Sequence, residues 1–541
     1  MEVPKLHITE SLKELFVDNS DIKANFESEI LPVFLRKMRW FHAKTSNIRL
    51  FNLQYAMPFE ISGTTLTYIL LVEIVFETSN TETYFLPVTF TVEPENDLSV
   101  ICAIHRDEKF HGYLVDALYT ETFRTGIFKY ISDSRKLKLS TGTLQFKKGK
   151  ALRKVAAGDI PNSEVLKLEQ SNSTLVYGGN YYLKIYRKMF RDKNPDVEMT
   201  RFLSEKSDFK NSPNFAGSIE WTPNEKYSVS IGLMQEKVEN DGEAWNDALK
   251  EIEGFFERFA KSGMAIEELP KVELYKPINL KKIPRVFNDL AGDSMLAKVK
   301  KLAIRTAEMH IALFSDRVDR NFTPESYGSD YSVWLLNRVM SMLDSRFNLL
   351  VSNLEQLSGK AREYAEEIIS RKEEIKDRIL DFDEQKLNSS RIRIHGDYHL
   401  GQILLTGRDF CILDFEGEPE STIRDRKVKQ PPMKDLAGLF RSYHYAVFAT
   451  IFKQNNSELP LDLLTEAGGR YYRMVVGVSL YYYAKTAMEG GLNIGYANEI
   501  DFLLRYHIFE KAIYELGYEL HARPDWVLIP LKGIMQLLNN D

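Results

Sequence analysis

Near residue 240 the chain changes its pattern, and that change limits the folds open to it. Before that point, β-branched and aromatic runs alternate with polar turns. After it, apolar residues recur at helical spacing almost to the end, with one interruption around 391–415. "TLTYILLVEIVFET" and "TYFLPVTFTVE" read as strands joined by a "TSNTET" turn, and "LSVICAIH" extends their sheet. "ESLKELF" near the start and "DALYTETFRTGIFKYI" (116–131) read as helices. From about 140 the strands resume as "SEVLKLE", "STLVY" and "YYLKIYR", with "GGN" (178–180) as the hairpin turn between the last two. "NPDVEMTRFL" predicts a helix capped by Asn194, with Pro195 in its first turn. Two more strands follow in "FAGSIEW" and "YSVSIGLMQE".

That order predicts an α+β, two-lobe protein-kinase-like fold with an extra β-rich N-terminal cap and a large helical C-lobe. The expected boundaries are 1–110 for the cap, 111–236 for the smaller lobe and 237–541 for the helical lobe. A chain of 541 residues exceeds what one core usually supports. Its 44% apolar and 27% charged residues suit a globular protein, and the charges of 331–384 read as a solvated helical face. The net charge of −6 offers no basic face for nucleic acid, although a local basic site for a phosphorylated substrate fits within it. Cys102 and Cys411 both sit in apolar runs and allow neither a disulfide framework nor a zinc site. No signal pattern or membrane-length apolar run is present, so the expected setting is cytoplasmic, without a membrane partner.

The chemistry concentrates in "RIRIHGDYHLGQILLTGRDFCILDFEGEPE" (391–420). A turn at Gly396, a polar loop and two apolar strands would bring Asp397, Gln402 and Asp414 to neighbouring tips. Two carboxylates and an amide oxygen are hard donors of the kind magnesium prefers. Phosphoryl transfer needs a carboxylate to receive the acceptor's proton and metal ligands beside the β- and γ-phosphates. An Asp, an amide five residues on and a second Asp at a strand end supply those parts.

"HGDYHLGQ" resembles the catalytic loop of the aminoglycoside-phosphotransferase-like kinases, with Gln402 where most of them have Asn. "HGDYHLGQ…DFEGEP…KDLAGLFRSYHYA" narrows the resemblance to the maltokinases, including the maltokinase part of trehalose synthase fusions. "RWFHAK" (39–44) is similar to a second signature of that family, with His42-Ala43 in place of a common glycine pair. The resemblance implies ATP and Mg2+ as cofactors, maltose as acceptor, Asp397 as base, and Gln402 and Asp414 as metal ligands. Glu416 would touch a second metal or orient the first. His395 accompanies Asp397 in the catalytic set, chiefly as a brace of the loop, and His399 lies toward the substrate.

On the nucleotide side, Lys184 stands on the third strand of the smaller lobe, where kinases place their phosphate-binding lysine, with Glu198 as the expected ion-pair partner. The loop "EQSNSTLV" has no glycine, so Ser171, Ser173 and Thr174 would present hydroxyls and backbone N–H groups to phosphate. Gln235 and Glu236 end a strand at the hinge expected to read adenine through its backbone, and Asp241 is expected to cap the next helix. Arg441 and Tyr445 share a helical face, which the resemblance puts by the sugar. It also implies a docking surface for trehalose synthase on the cap. Two rival readings are a hexose or glucosamine kinase with the same loop, and an inactive nucleotide-binding scaffold.

Overall fold

The computed structural model describes residues 3–9, 20–61, 65–78, 80–139, 141–154, 159–166, 171–223, 227–453 and 459–539. The helix expected at "ESLKELF" (10–16) lies outside the described residues, as do residues 167–170 of the "SEVLKLE" strand and the loop after it. The chain divides into two compact units, residues 1–206 with 213–237, and residues 207–212 with 238–541.

The first unit holds two sheets. In the N-terminal sheet the strands run Lys5–His7, Val100–Arg106, Lys109–Asp116, Thr81–Thr91, Thr65–Phe76 and Ile48–Ile61, and the short Lys188–Met189 also pairs with Thr81–Thr91. Thr65–Phe76 is apolar on both sides because both sides are covered. Leu70, Val72 and Ile74 pack on a core with Phe26, Phe34, Trp40 and Phe41. Ile69 and Leu71 face the other way, into a core shared with Phe123, Ile127 and Phe128 and with the second sheet. The helix expected over 116–131 begins later, at Glu121–Ser132, because Asp116 still belongs to a strand and its carboxylate accepts the Leu118 N–H at 3.1 Å in a short 3-10 turn. In "RWFHAK", Trp40, Phe41 and Ala43 are buried and His42 is exposed.

The second sheet runs Lys136–Leu139, Gly142–Lys148, Phe215–Thr222, Val229–Glu236, Tyr181–Ile185, Ser173–Tyr177 and Ser163–Val165. Five of these strands are the expected ones; the first two extend the sheet, Gly142–Lys148 by pairing with Phe215–Thr222 and Lys136–Leu139 by pairing with Gly142–Lys148. Gly178 (φ +57°) and Gly179 (φ +68°) turn the hairpin between Ser173–Tyr177 and Tyr181–Ile185. Asn194 accepts the Asp196 N–H at 2.9 Å, which caps the helix Pro195–Lys206. A fully buried ion pair ties the two sheets: Arg187 donates to Asp116 at 2.5 Å and to Ser173 at 2.7 Å, with its guanidinium 4.6 Å from the Trp40 ring centroid.

The second unit is helical apart from the antiparallel hairpin Ile403–Thr406 and Asp409–Ile412. "RIRI" makes isolated bridges, Arg391 with Glu325 and Ile392 with Gln430, instead of a full strand. Asp241 does not cap the following helix, Ala244–Ser262; its carboxylate accepts the Gly407 N–H at 2.8 Å and so holds the hairpin turn. Among the described residues, no helix is long and apolar enough to cross a membrane.

Candidate active site

In the second unit the loop 395–402 is fixed from below by one buried carboxylate. Asp435, on the helix Met433–Lys453, accepts the backbone N–H of His395 at 2.7 Å and of Gly396 at 2.9 Å. His310 holds the same carboxylate at 2.9 Å and is itself held by the Tyr483 hydroxyl at 2.8 Å. Burial works against the charge of Asp435, yet His310, His395 and the Gly396 N–H outweigh it and keep its carboxyl below the usual carboxylate range. The loop also lies close on that helix. A Cβ at Gly438 would meet the Tyr398 carbonyl oxygen at 2.6 Å, so the contact requires glycine. Gly396 turns the loop at φ +84°, and a Cβ there would come within 3.3 Å of the Gly417 Cα.

His395 is a brace. Its Nε2 lies 2.7 Å from the Leu413 carbonyl and therefore carries the proton, and its Nδ1 accepts the Asp397 N–H at 3.3 Å. With both ring nitrogens engaged and the side chain buried, it has no lone pair for an external proton. His399 takes the Gly401 N–H on Nδ1 at 3.1 Å and turns Nε2 toward Asp397, 3.9 Å away. Burial lowers its pKa, with Lys511 adding and Asp397 opposing, so the ring is neutral near pH 7.

Asp397 meets a residue that local sequence did not single out. Lys511, on the helix Ala497–Ala522, lies 3.2 Å from Asp397 Oδ1 and 3.3 Å from Glu418 Oε1. Burial disfavours its charge, but Asp397 and Glu418 more than compensate and raise its pKa. Glu418 is bound at 2.5 Å by Arg338, which also reaches Glu510, and Lys434 meets Glu510 at 2.9 Å. These groups line a cleft of about 20 Å³ bordered by Gly396, Asp397 and Tyr398, with room for roughly one water. The sequence signals were a lysine within the apolar run "FEKAIYEL" and a further acid in "DFEGEPE".

The hairpin supplies the other oxygens. Gln402 Nε2 donates to Asp414 Oδ2 at 3.1 Å, which brings together the amide and the acid that spacing had linked. Asp414 sits at φ +60°, a backbone region costly for a residue with a Cβ and often found at functional sites. Carboxylate oxygens of Asp414 and Glu416 lie within 4.8 Å of one another. Arg426 faces this group, 3.9 Å from Glu416; burial lowers its pKa against the opposing pull of Glu416, Asp397, Asp414 and Glu418. One guanidinium therefore senses all four acids. Oxygen donors so grouped fit a hard divalent cation.

Arg441 and Tyr445 are not on an open face. Nearly the whole Met433–Lys453 helix is buried, and Arg441 is clasped by Glu515 at 2.6 and 2.9 Å. Tyr445 stacks at 6.4 Å on Trp526. Both side chains are part of the packing, which corrects their expected place by a sugar. The reason is that this helix meets neighbours on every side, so an i, i+4 pair on it need not face solvent.

In the first unit, Lys184 Nζ lies 3.5 Å from Asp196 Oδ2 and 5.8 Å from the Tyr186 ring centroid. Asp196 is buried and also receives the Tyr186 hydroxyl at 3.3 Å. The helix Pro195–Lys206 thus offers Asp196 as an ion-pair partner, and the expected Glu198 lies half-buried two positions further along it. Ser171 is exposed, whereas Ser173 is fully buried and its hydroxyl accepts from Arg187. The hydroxyl expected at a phosphate from Ser173 is therefore engaged inside the fold. Gln235 donates to Thr200 at 3.1 Å and Glu236 accepts from Asn214 at 2.8 Å, both half-buried at the strand end.

Comparison with known proteins adds four findings. Residues 34–119 match the maltokinase N-terminal cap domain. A glucosamine kinase from Streptacidiphilus jiangxiensis is 24% identical over 252 residues, which are 46% of this chain and 51% of that protein, so the chain spans about half the length of the curated relative it matches. A solved glucosamine kinase in complex with glucosamine, ADP and inorganic phosphate superposes with a TM-score of 0.60 at 14% identity, covering 98% of this chain and 100% of that one. A crystal form of glucosamine kinase gives 0.59 at 14% identity over 90% and 94%. The chain thus carries a maltokinase cap domain and shares the kinase-like fold of glucosamine kinase.

Proposed function

We propose, for a chain that joins a maltokinase N-terminal cap domain to this kinase-like fold, an ATP- and Mg2+-dependent transfer of phosphate to a sugar hydroxyl. The preferred acceptor is maltose at its anomeric hydroxyl, and the product is maltose 1-phosphate for α-glucan synthesis. The observation that carries this reading is Asp397, held by Lys511 in a cleft of about 20 Å³ and sharing Arg426's field with Asp414 and Glu416. A cleft that small admits a hydroxyl, not a ring, so the acceptor's body lies outside it and one oxygen reaches Asp397.

Asp397 takes the hydroxyl proton as the oxygen attacks phosphorus in line. Lys511 is a positioning residue: it fixes the carboxylate that receives the proton and is itself anchored by Glu418. His395 and Asp435 hold the loop so that Asp397 does not have to be ordered at the moment of reaction. Asp414, Gln402 and Glu416 would hold the divalent cation, which when bound neutralises charge on the transferred phosphoryl group. Lys184, steadied by Asp196, would hold the α- and β-phosphates. Ser171 and the backbone of Gln235 and Glu236 would contribute the remaining nucleotide contacts.

A phosphate-transfer screen with ATP and Mg2+ over maltose, glucose and glucosamine tests the reading. Maltose turnover with an acid-labile 1-phosphate product supports it. Turnover of glucosamine alone would move the assignment to the second reading, which the named relatives favour. Turnover of none would remove the kinase assignment. The role of Lys511 has its own test. Lys511→Met should lower kcat about 10²-fold with little change in the KM for ATP, and Lys511→Arg should restore part of it. Loss of ATP affinity in place of kcat would contradict a positioning role.

A further inference from the structure

The geometry points to a second, non-catalytic sugar site in the first unit, a cavity that takes a single pyranose ring where the two sheets meet. The cavity measures about 170 Å³ and is bordered by Gln54, Tyr55, Thr83, Arg191, Trp221 and Tyr227. It goes beyond the proposed reaction, because it uses none of the residues assigned to phosphate transfer.

Its shape comes from an irregularity in the N-terminal sheet. Leu53 pairs with Val72 and Tyr55 with Leu71, so Gln54 is an extra residue in the strand Ile48–Ile61. Such a bulge bends a strand and re-aims its side chains, here bringing Gln54 and Tyr55 to the cavity edge. From the second sheet comes Trp221, at the end of Phe215–Thr222, its ring 6.0 Å from Tyr55 in an edge-on arrangement.

Size and lining choose the ligand class. A dry, aliphatic cavity of about 150 Å³ holds one benzene ring; this one is slightly larger and has a mixed lining. Tyr55, Trp221 and Tyr227 offer faces for the C–H side of a ring. Gln54, Thr83 and Arg191 offer donors and acceptors for its hydroxyls. Trp221 is 6% exposed, and its indole N–H has no hydrogen-bond partner among the described residues. A buried donor left unpaired is costly, and Trp221, which carries it, borders the cavity. A neutral hexose, or one glucosyl unit of a longer glucan, has that combination of apolar face and hydroxyl rim.

The experiment titrates the full-length protein with methyl α-glucoside, whose anomeric oxygen is blocked against phosphorylation, and reads tryptophan fluorescence together with saturation-transfer NMR. Saturable binding should appear in the wild type and persist in Asp397→Asn. Trp221→Phe keeps an aromatic face while removing the N–H and part of the ring area, and should raise the dissociation constant roughly tenfold. Arg191→Ala, at an exposed side chain that can be changed without disturbing the fold, should weaken binding by a similar factor. Both variants should turn over the catalytic acceptor at the wild-type rate. Absence of saturable binding up to 50–100 times the concentration of a typical weak sugar site (~1 mM,) would overturn the proposal. So would binding that Trp221→Phe and Arg191→Ala leave unchanged, or that Asp397→Asn abolishes. None of the binding results depends on phosphate transfer, so the two readings fail separately.

Discussion

Replacing Asp397 with Asn should lower turnover by about 10²–10⁴-fold while ATP binding stays near its wild-type strength. The substitution conserves shape and removes the group that accepts a proton. The loop should keep its conformation, because the bonds that hold it do not use the Asp397 carboxylate. Asp435 holds the N–H groups of His395 and Gly396, and His395 Nε2 holds the Leu413 carbonyl. Lys511 keeps Glu418 as its anchor. Steady-state rates with ATP titrated by equilibrium binding separate the two effects. A turnover equal to wild type would refute the base assignment, and loss of ATP binding would mean that the loop had moved.

The largest stability effect is expected at Asp116. Asp116→Ala leaves the Arg187 guanidinium buried against Ser173 and the Trp40 ring without its carboxylate. Removing one partner of a buried pair typically costs about 3–5 kcal/mol, whereas replacing both by apolar groups of similar volume costs much less. Asp116→Leu with Arg187→Met should therefore recover most of the loss. Denaturant unfolding of the single and double variants measures this. A single variant within about 1 kcal/mol of wild type would show that water reaches Arg187. The pair also ties the end of a cap strand to the segment just after Lys184, so the single variant should weaken nucleotide engagement as well.

Parts of the candidate site could be read before any coordinates. Asp397, Gln402 and Asp414 lie within eighteen positions, and the hairpin Ile403–Thr406 with Asp409–Ile412 brings Gln402 and Asp414 into contact. The brace role of His395 was legible too, since an imidazole beside a glycine turn has backbone groups close at hand. Other residues were misplaced for identifiable reasons. Arg441 and Tyr445 were set on a shared face by helical spacing, but spacing does not say what covers that face; Glu515 and Trp526 do. Ser173 reads both as the first residue of a strand and as a phosphate contact from the loop before it; the strand is there, and Arg187 donates to its hydroxyl.

Sequence alone determined the periods, the turns and the caps of this protein. A β-branched and aromatic run made Thr65–Phe76 a strand, Gly178 and Gly179 turned a hairpin, and Asn194 started a helix, because each depends on the backbone preferences of a few neighbouring residues. Tertiary structure decided which distant group answers each buried charge. Lys511 reaches Asp397 across 114 positions, His310 reaches Asp435 across 125, and Arg187 reaches Asp116 across 71. A buried ion is tolerated only with a partner in place, and packing of remote segments supplies that partner, so no local pattern can announce it.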